Sequence, residues 1–90
     1  MVQVHLTSVI QKVVDGQRSL SADGSTVAEL IEDIERRYPG FRSQLMDADG
    51  KLHRFVNVYL NDEDVRFLGG AETPLAEGDQ VSILPALAGG

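Results

Sequence analysis

The sequence contains no cysteine, so the chain has neither a disulfide framework nor a thiol nucleophile. It also contains no run of about 18 apolar residues, and we therefore expect no membrane-spanning helix and no membrane partner. No basic segment precedes an apolar stretch near the N-terminus, as a secretory signal would require. These absences predict a cytoplasmic protein.

Basic side chains are also few. Eight lysines and arginines stand against fourteen acidic residues, giving a formal net charge of −6. Such a surface repels a phosphate backbone, so nucleic acid is not an expected partner. The acidic charge keeps a small protein soluble and can also steer it toward basic enzyme surfaces.

What is present suits one small domain. Ninety residues, 42% of them hydrophobic, are enough for a single modest core. Val2, Val4 and Leu6 alternate with polar residues, which predicts a strand with one buried face. A turn signal at Asp15-Gly16 leads to a second strand over residues 18–22, and the segment 8–14 between them is open to interpretation as strand or loop.

One helix is strongly predicted after this hairpin. Thr26 followed by Glu29 fits a capping box, and Pro39-Gly40 provides the stop signal. The apolar residues between these signals fall at helical spacing on one face: Val27, Leu30, Ile31, Ile34 and Tyr38.

The second half predicts a short helix at 41–46, a loop at 47–50, and further strands. Alternation predicts a strand at 55–60, a short strand at Val65–Phe67, and a last strand at 81–84 that ends at Pro85. The apolar faces of the helix and the strands are expected to pack together. The prediction is a two-layer α+β domain, with a mixed sheet of four to five strands and one main helix across one face.

Residues for catalysis or metal binding are scarce. His5 and His53 lie far apart and have no spacing typical of metal ligands, so isolated surface histidines are the better interpretation. Asp47-x-Asp49-Gly50 lacks the rest of a calcium loop, and a hydrogen-bonded turn is expected instead. The acidic segment 61–64 is interpreted as a solvated loop, and Gly69-Gly70 has no phosphate-binding context. The domain is therefore not expected to be an enzyme.

The C-terminal sequence is Pro85-Ala-Leu-Ala-Gly-Gly90. Gly89 and Gly90 lack a Cβ, so they can pass through a narrow channel to present the α-carboxylate of Gly90. Small residues at 86–88 add little bulk. Taken alone, this tail is equally compatible with a functional arm and with a frayed end. We predict a domain at 1–85 and a flexible tail at 86–90.

The whole pattern resembles a known family. A hairpin, a helix and an EGD turn before the last strand, followed by Gly-Gly, resemble the ubiquitin-like sulfur carriers of the ThiS/MoaD type, which have a β-grasp fold. The block LHRFVNVYLNDEDVRFL at 52–68, with GQRSLSADGSTVAELIEDIERRYPG and ILPALAGG, is similar to the CysO branch, the carriers for cysteine synthesis. The sequence departs from that branch at 7–14, which lack an expected proline and second glycine.

The resemblance implies a chemistry for the tail. An E1-like enzyme uses ATP to adenylate the Gly90 carboxylate, and sulfur transfer then gives a thiocarboxylate. In the CysO branch a PLP-dependent cysteine synthase accepts the sulfur, and a JAMM-type zinc peptidase releases the cysteine formed. ATP, PLP and zinc would belong to these partners, and this chain is expected to bind no cofactor and no metal.

A docking surface follows from strand alternation. If Val56 and Val58 face the helix, then Phe55 and Tyr59 face the other way, and Leu84 points out in the same manner. These three side chains are predicted to form an apolar patch on the uncovered sheet face beside the tail. Together with Pro85, Ala86, Leu87 and Ala88 they are the predicted partner-binding residues. The alternative is that loops or a dimer contact cover them.

The same residues are compatible with other functions. The same sulfur chemistry serves molybdopterin synthase, thiazole synthesis and thio-containing natural products. A ubiquitin-like modifier would instead join Gly90 to lysines of other proteins. A binding domain with an inert tail is the third class.

Overall fold

The computed structural model describes residues 1–53 and 56–85, except for the side chains of Ser8, Val9 and Pro85. The strands are β1 (Val2–Leu6), β2 (Ser19–Ala22), β3 (Val56–Leu60), β4 (Glu63–Asp64) and β5 (Gln80–Pro85). The α-helices are α1 (Ser8–Gln11), α2 (Val27–Arg37) and α3 (Phe41–Leu45), and single 3₁₀ turns lie at Lys12–Val14, Val65–Phe67 and Gly70–Glu72. None of the described helices is both long and apolar enough to cross a membrane.

The strands form one mixed sheet in the order β2-β1-β5-β3-β4. The central strand β5 runs parallel to β1 and antiparallel to β3, while the β1–β2 and β3–β4 pairs are antiparallel. The predicted architecture, a mixed sheet with one main helix, is therefore confirmed. The last strand in sequence lies at the centre of the sheet.

The core lies between the sheet and the helices. Every second residue of β1 is buried, and the same holds for Val56 and Val58 of β3 and for Val81 and Ile83 of β5. Against them pack the buried residues of α2, which are Val27, Leu30, Ile31 and Ile34. This confirms the faces predicted from alternation and from helical spacing. Tyr38, predicted on the same helix face, is half-buried at the edge of this core.

The N-terminus of α2 is capped almost as predicted. The backbone N–H of Glu29 donates to Oγ1 of Thr26 at 3.2 Å. The Glu29 carboxylate accepts from the backbone N–H of Ser25 at 3.0 Å, one residue before the position expected in a capping box. The Thr26 hydroxyl and the Glu29 carboxylate thus each accept a hydrogen bond from a backbone N–H group at the start of the helix.

The segment 8–14 is helical, so the interpretation of this segment as strand or loop was wrong. It forms α1 and the 3₁₀ turn at Lys12–Val14. Ile10 and Val14 are four residues apart and both buried, 3% and 0% exposed, which is the spacing of one helix face. The turn signal is confirmed, because Asp15 and Gly16 both have positive φ angles, 57° and 78°.

The prediction of a short strand at Val65–Phe67 was also wrong. Asn61 and Asp62 turn the chain with φ angles of 49° and 74°, and pairing with β3 is complete at Glu63 and Asp64. The Asp64 carboxylate then accepts from the backbone N–H of Arg66 at 2.9 Å, which caps the 3₁₀ turn at its start.

Candidate functional site: the end of β5 and the open sheet face

The last described part of β5 is held on both sides. On one side, Leu6 of β1 pairs with Ile83. On the other side, β3 pairs through Val58 with Ile83 and through Val56 with Pro85. β5, the strand that leads to the C-terminal sequence, is therefore held in place by strands on both sides. The predicted site residues Ala86, Leu87, Ala88, Gly89 and Gly90 lie outside the described residues, and their roles stay predictions.

Arg66 adds a second support at the same end of β3. Its Nη2 atom donates to the carbonyl oxygen of His53 at 3.2 Å and to that of Val56. A guanidinium that serves two carbonyls fixes the backbone just before and at the start of β3. Since Val56 pairs with Pro85, Arg66 stabilises the strand edge next to the point from which the tail continues.

The opposite end of β5 is fixed by a polar network. Asn61 donates from Nδ2 to Asp79 at 3.1 Å and accepts from the backbone N–H of Gln80 at 3.0 Å. The other oxygen of Asp79 accepts from the backbone N–H of Ala76 at 2.7 Å. This N–H, with the Asn61 amide in second place, lowers the pKa of Asp79 below its ordinary value. The lowered pKa keeps the Asp79 carboxylate ionised. Its hydrogen bonds to Ala76 and Asn61 join the turn before β5 to the turn after β3.

The sheet face away from α2 is uncovered by any described helix. Tyr59 lies opposite Ser82 in the ladder, and Leu84 lies opposite Asn57. Tyr59 and Leu84 are therefore diagonal neighbours on one face, a distance at which an aromatic side chain can reach its neighbour. Both are half-buried. Phe55, the third predicted member of the patch, lies outside the described residues, so the docking role of this patch stays a prediction.

The remaining strand residues on this face are polar. His5 approaches Gln80 with 3.0 Å between Nε2 and Oε1, and Ser21 donates to Gln3 at 3.2 Å. The others in the described strands are Ser19, Asn57, Ser82 and Asp64. Tyr59 and Leu84 thus stand out as the apolar pair on a hydrophilic surface.

The candidates for metal or acid–base chemistry are not brought together. His53 lies 3.2 Å from the carbonyl oxygen of Ser43, whereas His5 is on β1 beside Gln80. The Asp47 carboxylate accepts from the backbone N–H groups of Asp49 and Lys51 at 2.9 and 3.0 Å, which confirms a hydrogen-bonded turn. Within residues 1–53 and 56–85 no group of three or more His, Cys, Asp or Glu side chains is arranged to hold a metal ion.

One surface was missed by the sequence reasoning. The side chain of Phe67 is 86% exposed and that of Leu68 is 47% exposed. The error in secondary structure hid them, because a short strand would bury every second residue. The useful signal was Asp64, because an aspartate carboxylate often accepts from the backbone N–H two residues further on and so begins a tight turn.

Known proteins that are similar in sequence and in structure identify the family of this chain. The sequence profile of the ThiS family matches residues 4–90 of the chain. The chain belongs to the ThiS family. One relative is the sulfur carrier protein CysO of Mycobacterium tuberculosis, which is 52% identical to this chain over 91 residues. The alignment covers 99% of this chain and 98% of the relative.

Another relative of this ThiS family member is the small archaeal modifier protein 3 of Haloferax volcanii, which is 37% identical over 78 residues and covers 83% of this chain and 84% of its own length. Among solved structures, the Amycolatopsis orientalis BexX/CysO complex contains a chain that superimposes with a TM-score of 0.93 at 47% identity, covering 100% of both chains. The β-grasp, ubiquitin-like fold and the CysO-like character predicted from the sequence are thereby confirmed.

Proposed function

We propose that this chain is a sulfur carrier whose reactive group is the α-carboxylate of Gly90. The observation that carries the proposal is the similarity to a sulfur carrier protein over 99% of the chain, at 52% identity. The structure is consistent with it, because β5, the strand that leads to the C-terminal sequence, pairs with β1 on one side and with β3 on the other. The carrier presents its end to enzymes and does not itself catalyse a reaction.

The proposed reaction has two steps. A carboxylate oxygen of Gly90 attacks the α-phosphorus of ATP on an E1-like enzyme, and pyrophosphate leaves. A hydrosulfide ion from the sulfur donor then attacks the acyl carbon, AMP leaves and a proton is lost, giving the thiocarboxylate. ATP is bound by the enzyme, and this chain contributes only its carboxylate and a surface for recognition. The existence of a solved complex between a CysO chain and a second protein, BexX, supports recognition of the folded body.

The proposed acceptor is the one that similarity to CysO favours. On a PLP-dependent cysteine synthase, the thiocarboxylate sulfur adds to an aminoacrylate derived from O-phosphoserine, which gives a thioester between the carrier and cysteine. An S-to-N acyl shift then leaves cysteine joined to Gly90 by an amide bond, and a JAMM-type zinc peptidase hydrolyses that bond to release cysteine. PLP and zinc belong to those enzymes. Molybdopterin synthesis and thio-containing natural products use the same carrier chemistry with a different acceptor.

Intact mass spectrometry tests the proposal. The chain is incubated with an E1-like enzyme from the same organism, ATP and a sulfur donor. We expect a mass increase equal to the replacement of one oxygen by sulfur, confined to the C-terminal peptide. An unchanged mass, with an enzyme that loads another carrier under the same conditions, would contradict the proposal. The loaded chain is then offered to a cysteine synthase with O-phosphoserine, where a cysteinyl adduct is expected.

A second candidate is a protein modifier, favoured by the similarity to the small archaeal modifier protein 3. A modifier joins its terminal glycine to lysines of other proteins. Peptide mass spectrometry of a cell extract separates the two functions, because modification leaves a C-terminal peptide of this chain joined through Gly90 to target lysines, and sulfur carriage does not.

A further inference from the structure

The edge strand β2 carries none of the side chains that usually protect the edge of a sheet. Its four residues, Ser19–Ala22, include no charge and no proline. Leu20 and Ala22 are buried in the core, and the two serines lie on the open sheet face. An edge strand of this kind is a template for pairing with another chain, which proteins commonly prevent with lysine, proline or a bulge. Any protection of β2 therefore has to come from another element.

Alternate residues of β2 present their backbone groups away from β1. The N–H of Leu6 donates to the carbonyl oxygen of Arg18 at 2.8 Å, and the ladder continues in the same register to the pair of Val2 with Ala22. Hydrogen-bonded pairs recur at every second residue of an antiparallel ladder. The residues of the alternate set therefore direct their N–H and C=O groups to the outer edge. They are Ser19, Ser21 and Asp23.

An ion pair from α2 binds two of these outward groups. The Asp33 carboxylate accepts from the backbone N–H of Asp23 at 3.0 Å through Oδ2, and Nη2 of Arg37 donates to the carbonyl oxygen of Ser21 at 3.0 Å. The same Nη2 and Oδ2 atoms lie 3.1 Å apart. The helix is thus joined to the edge of the sheet at two neighbouring points.

The ion pair takes the place of one residue of a neighbouring strand. In a parallel ladder, a single residue of the neighbour donates its N–H to one carbonyl and accepts, at its own carbonyl, from the N–H two residues further on. Here the Arg37 guanidinium supplies the donor for Ser21, and the Asp33 carboxylate supplies the acceptor for Asp23. A strand that approaches β2 from outside must displace both side chains.

The opposite edge of the sheet has a similar arrangement. β4 is only two residues long and pairs with Tyr59 and Leu60 of β3. At the start of β3, beyond those two residues, the Arg66 guanidinium donates to the carbonyl oxygen of Val56. A guanidinium thus binds a backbone carbonyl at both edges of the sheet, which favours a common role in closing the edges.

We propose that Asp33 and Arg37 prevent β2 from pairing with β2 of a second copy of this chain. A second copy is the occupant because every molecule presents the same edge, and a two-fold axis at β2 brings two such edges together as an antiparallel pair. Ser19 and Ser21 are small and uncharged, so two strands can approach closely. The inference concerns the assembly state of the folded body and does not depend on the proposed function.

The test compares the self-association of wild type with that of the double variant Asp33→Ala/Arg37→Ala. Sedimentation velocity is measured over a wide range of protein concentration. Because the net charge of −6 opposes association between copies, about 0.15 M salt is used, at which charges are screened beyond roughly 8 Å. The double variant loses one charge of each sign, so its net charge is that of wild type.

We expect wild type to remain monomeric and the double variant to dimerise, with a self-association Kd at least about tenfold lower than that of wild type. The reason is that the Ser21 carbonyl and the Asp23 N–H of each copy lose their side-chain partners and gain backbone partners in the dimer. Arg36→Ala is the matched control. Arg36 pairs with the other oxygen of Asp33 at 2.6 Å, and its loss leaves both contacts to the edge in place, so this variant should remain monomeric.

A second measurement locates the contact. The N–H groups of Ser19 and Ser21 face outward, so their hydrogen exchange in the double variant should slow as the protein concentration rises, and exchange in wild type should not. Adding Ser19→Pro to the double variant should restore the monomer. Proline is tolerated at the first residue of an edge strand, and it removes an outward N–H that a second strand would need.

A double variant that stays monomeric at every concentration would overturn the proposal, and so would a wild type that already pairs through β2. Association that leaves the exchange of Ser19 and Ser21 unchanged, or that persists with Ser19→Pro, would place the contact elsewhere and overturn it too. Equal association of Arg36→Ala would show that the bonds to β2 are not the cause. Circular dichroism checks that each variant is folded. Arg37→Ala alone, which keeps the Asp33 contact to Asp23, replaces a double variant that does not fold, and it must then dimerise more than wild type for the proposal to stand.

Discussion

Val56 and Pro85 face each other in the antiparallel ladder between β3 and β5. β3 begins at Val56 and the described part of β5 ends at Pro85, so the two strands meet at the same end of the sheet. Gly90 lies five residues further along the chain. The Val56–Pro85 pair is therefore the last fixed point of the sheet before Gly90. The number of residues between Pro85 and Gly90 limits how far a partner that acts on Gly90 can lie from this pair.

Adding one alanine after Gly90 should abolish sulfur loading. The extra residue moves the carboxylate by up to about 3.5 Å, and a misplacement of that size is incompatible with in-line attack on ATP. Intact mass spectrometry after incubation with the E1-like enzyme is the measurement. One alanine placed before Met1 is the matched control, and it should load like wild type. Normal loading of the C-terminally extended chain would refute the proposal that the Gly90 carboxylate is the reactive group.

Replacing Tyr59 with glutamate should weaken partner binding by about tenfold, because a charge would enter a desolvated contact. The fold should persist, since Tyr59 lies on the uncovered face. Ser19→Glu places the same charge on the same face at the far edge strand and should bind normally. Calorimetry with the E1-like enzyme and with the cysteine synthase measures both variants. If Tyr59→Glu and Ser19→Glu bind each enzyme with equal affinity, the prediction that Tyr59 belongs to a docking patch is wrong.

Gly24→Ala should destabilise the fold by about 3 kcal/mol, because a methyl group here cannot be accommodated. A Cβ at Gly24 would lie 2.4 Å from the backbone nitrogen and 2.8 Å from the Cα of Leu30, both in α2. Urea unfolding gives the free energy. Ser25→Ala, an exposed neighbour, should change it by less than about 0.5 kcal/mol. Equal stabilities for the two variants would mean that α2 packs differently from the description above.

Acid should weaken the attachment of α2 to the edge strand. The Asp33 carboxylate accepts from the backbone N–H of Asp23 at 3.0 Å and pairs with Arg36 and Arg37 at 2.6 and 3.1 Å. The Asp23 N–H first, and then the Arg36 hydrogen bond, lower the pKa of Asp33 below its ordinary value, although partial burial opposes them.

A lowered folded-state pKa means that this stabilisation is complete above the unfolded pKa of about 3.9 and is lost as pH falls through the folded value. Asp33→Asn should therefore be less stable than wild type at pH 7, by about 1 kcal/mol, and the difference should shrink below about pH 4. Urea unfolding at several pH values is the measurement. A difference that stays constant down to pH 2 would show that the carboxylate charge is not the cause.

The parts of the fold that could be predicted are those with strong local signals. α2 has a cap, four buried apolar residues at helical spacing and a Pro39-Gly40 stop, and the alternation in β1, β3 and β5 identified the buried faces. The segment 8–14 could not be assigned because Ile10 and Val14 suit a helix face, while its β-branched residues suit a strand. Such a short segment has too few residues for periodicity to decide.

Two other features depend on tertiary structure. Gly24 lies in a loop and packs against the backbone of Leu30 in α2. The Asp23-Gly24 sequence predicts only a turn and does not reveal this contact. The exposure of Phe67 follows from the two-residue length of β4, after which Asp64 caps a tight turn. The alternation placed Tyr59 and Leu84 on one face, but it contains no information on what binds there.

The central place of β5 has a mechanical consequence. A partner that draws the C-terminal segment into a channel pulls on β5 along its axis. The pull is then resisted in shear by two ladders at once, β1 on one side and β3 on the other. Hydrogen bonds loaded in parallel must break together, whereas those of an edge hairpin can open one by one. The sheet is thus suited to bear a pull on its C-terminal strand without unfolding.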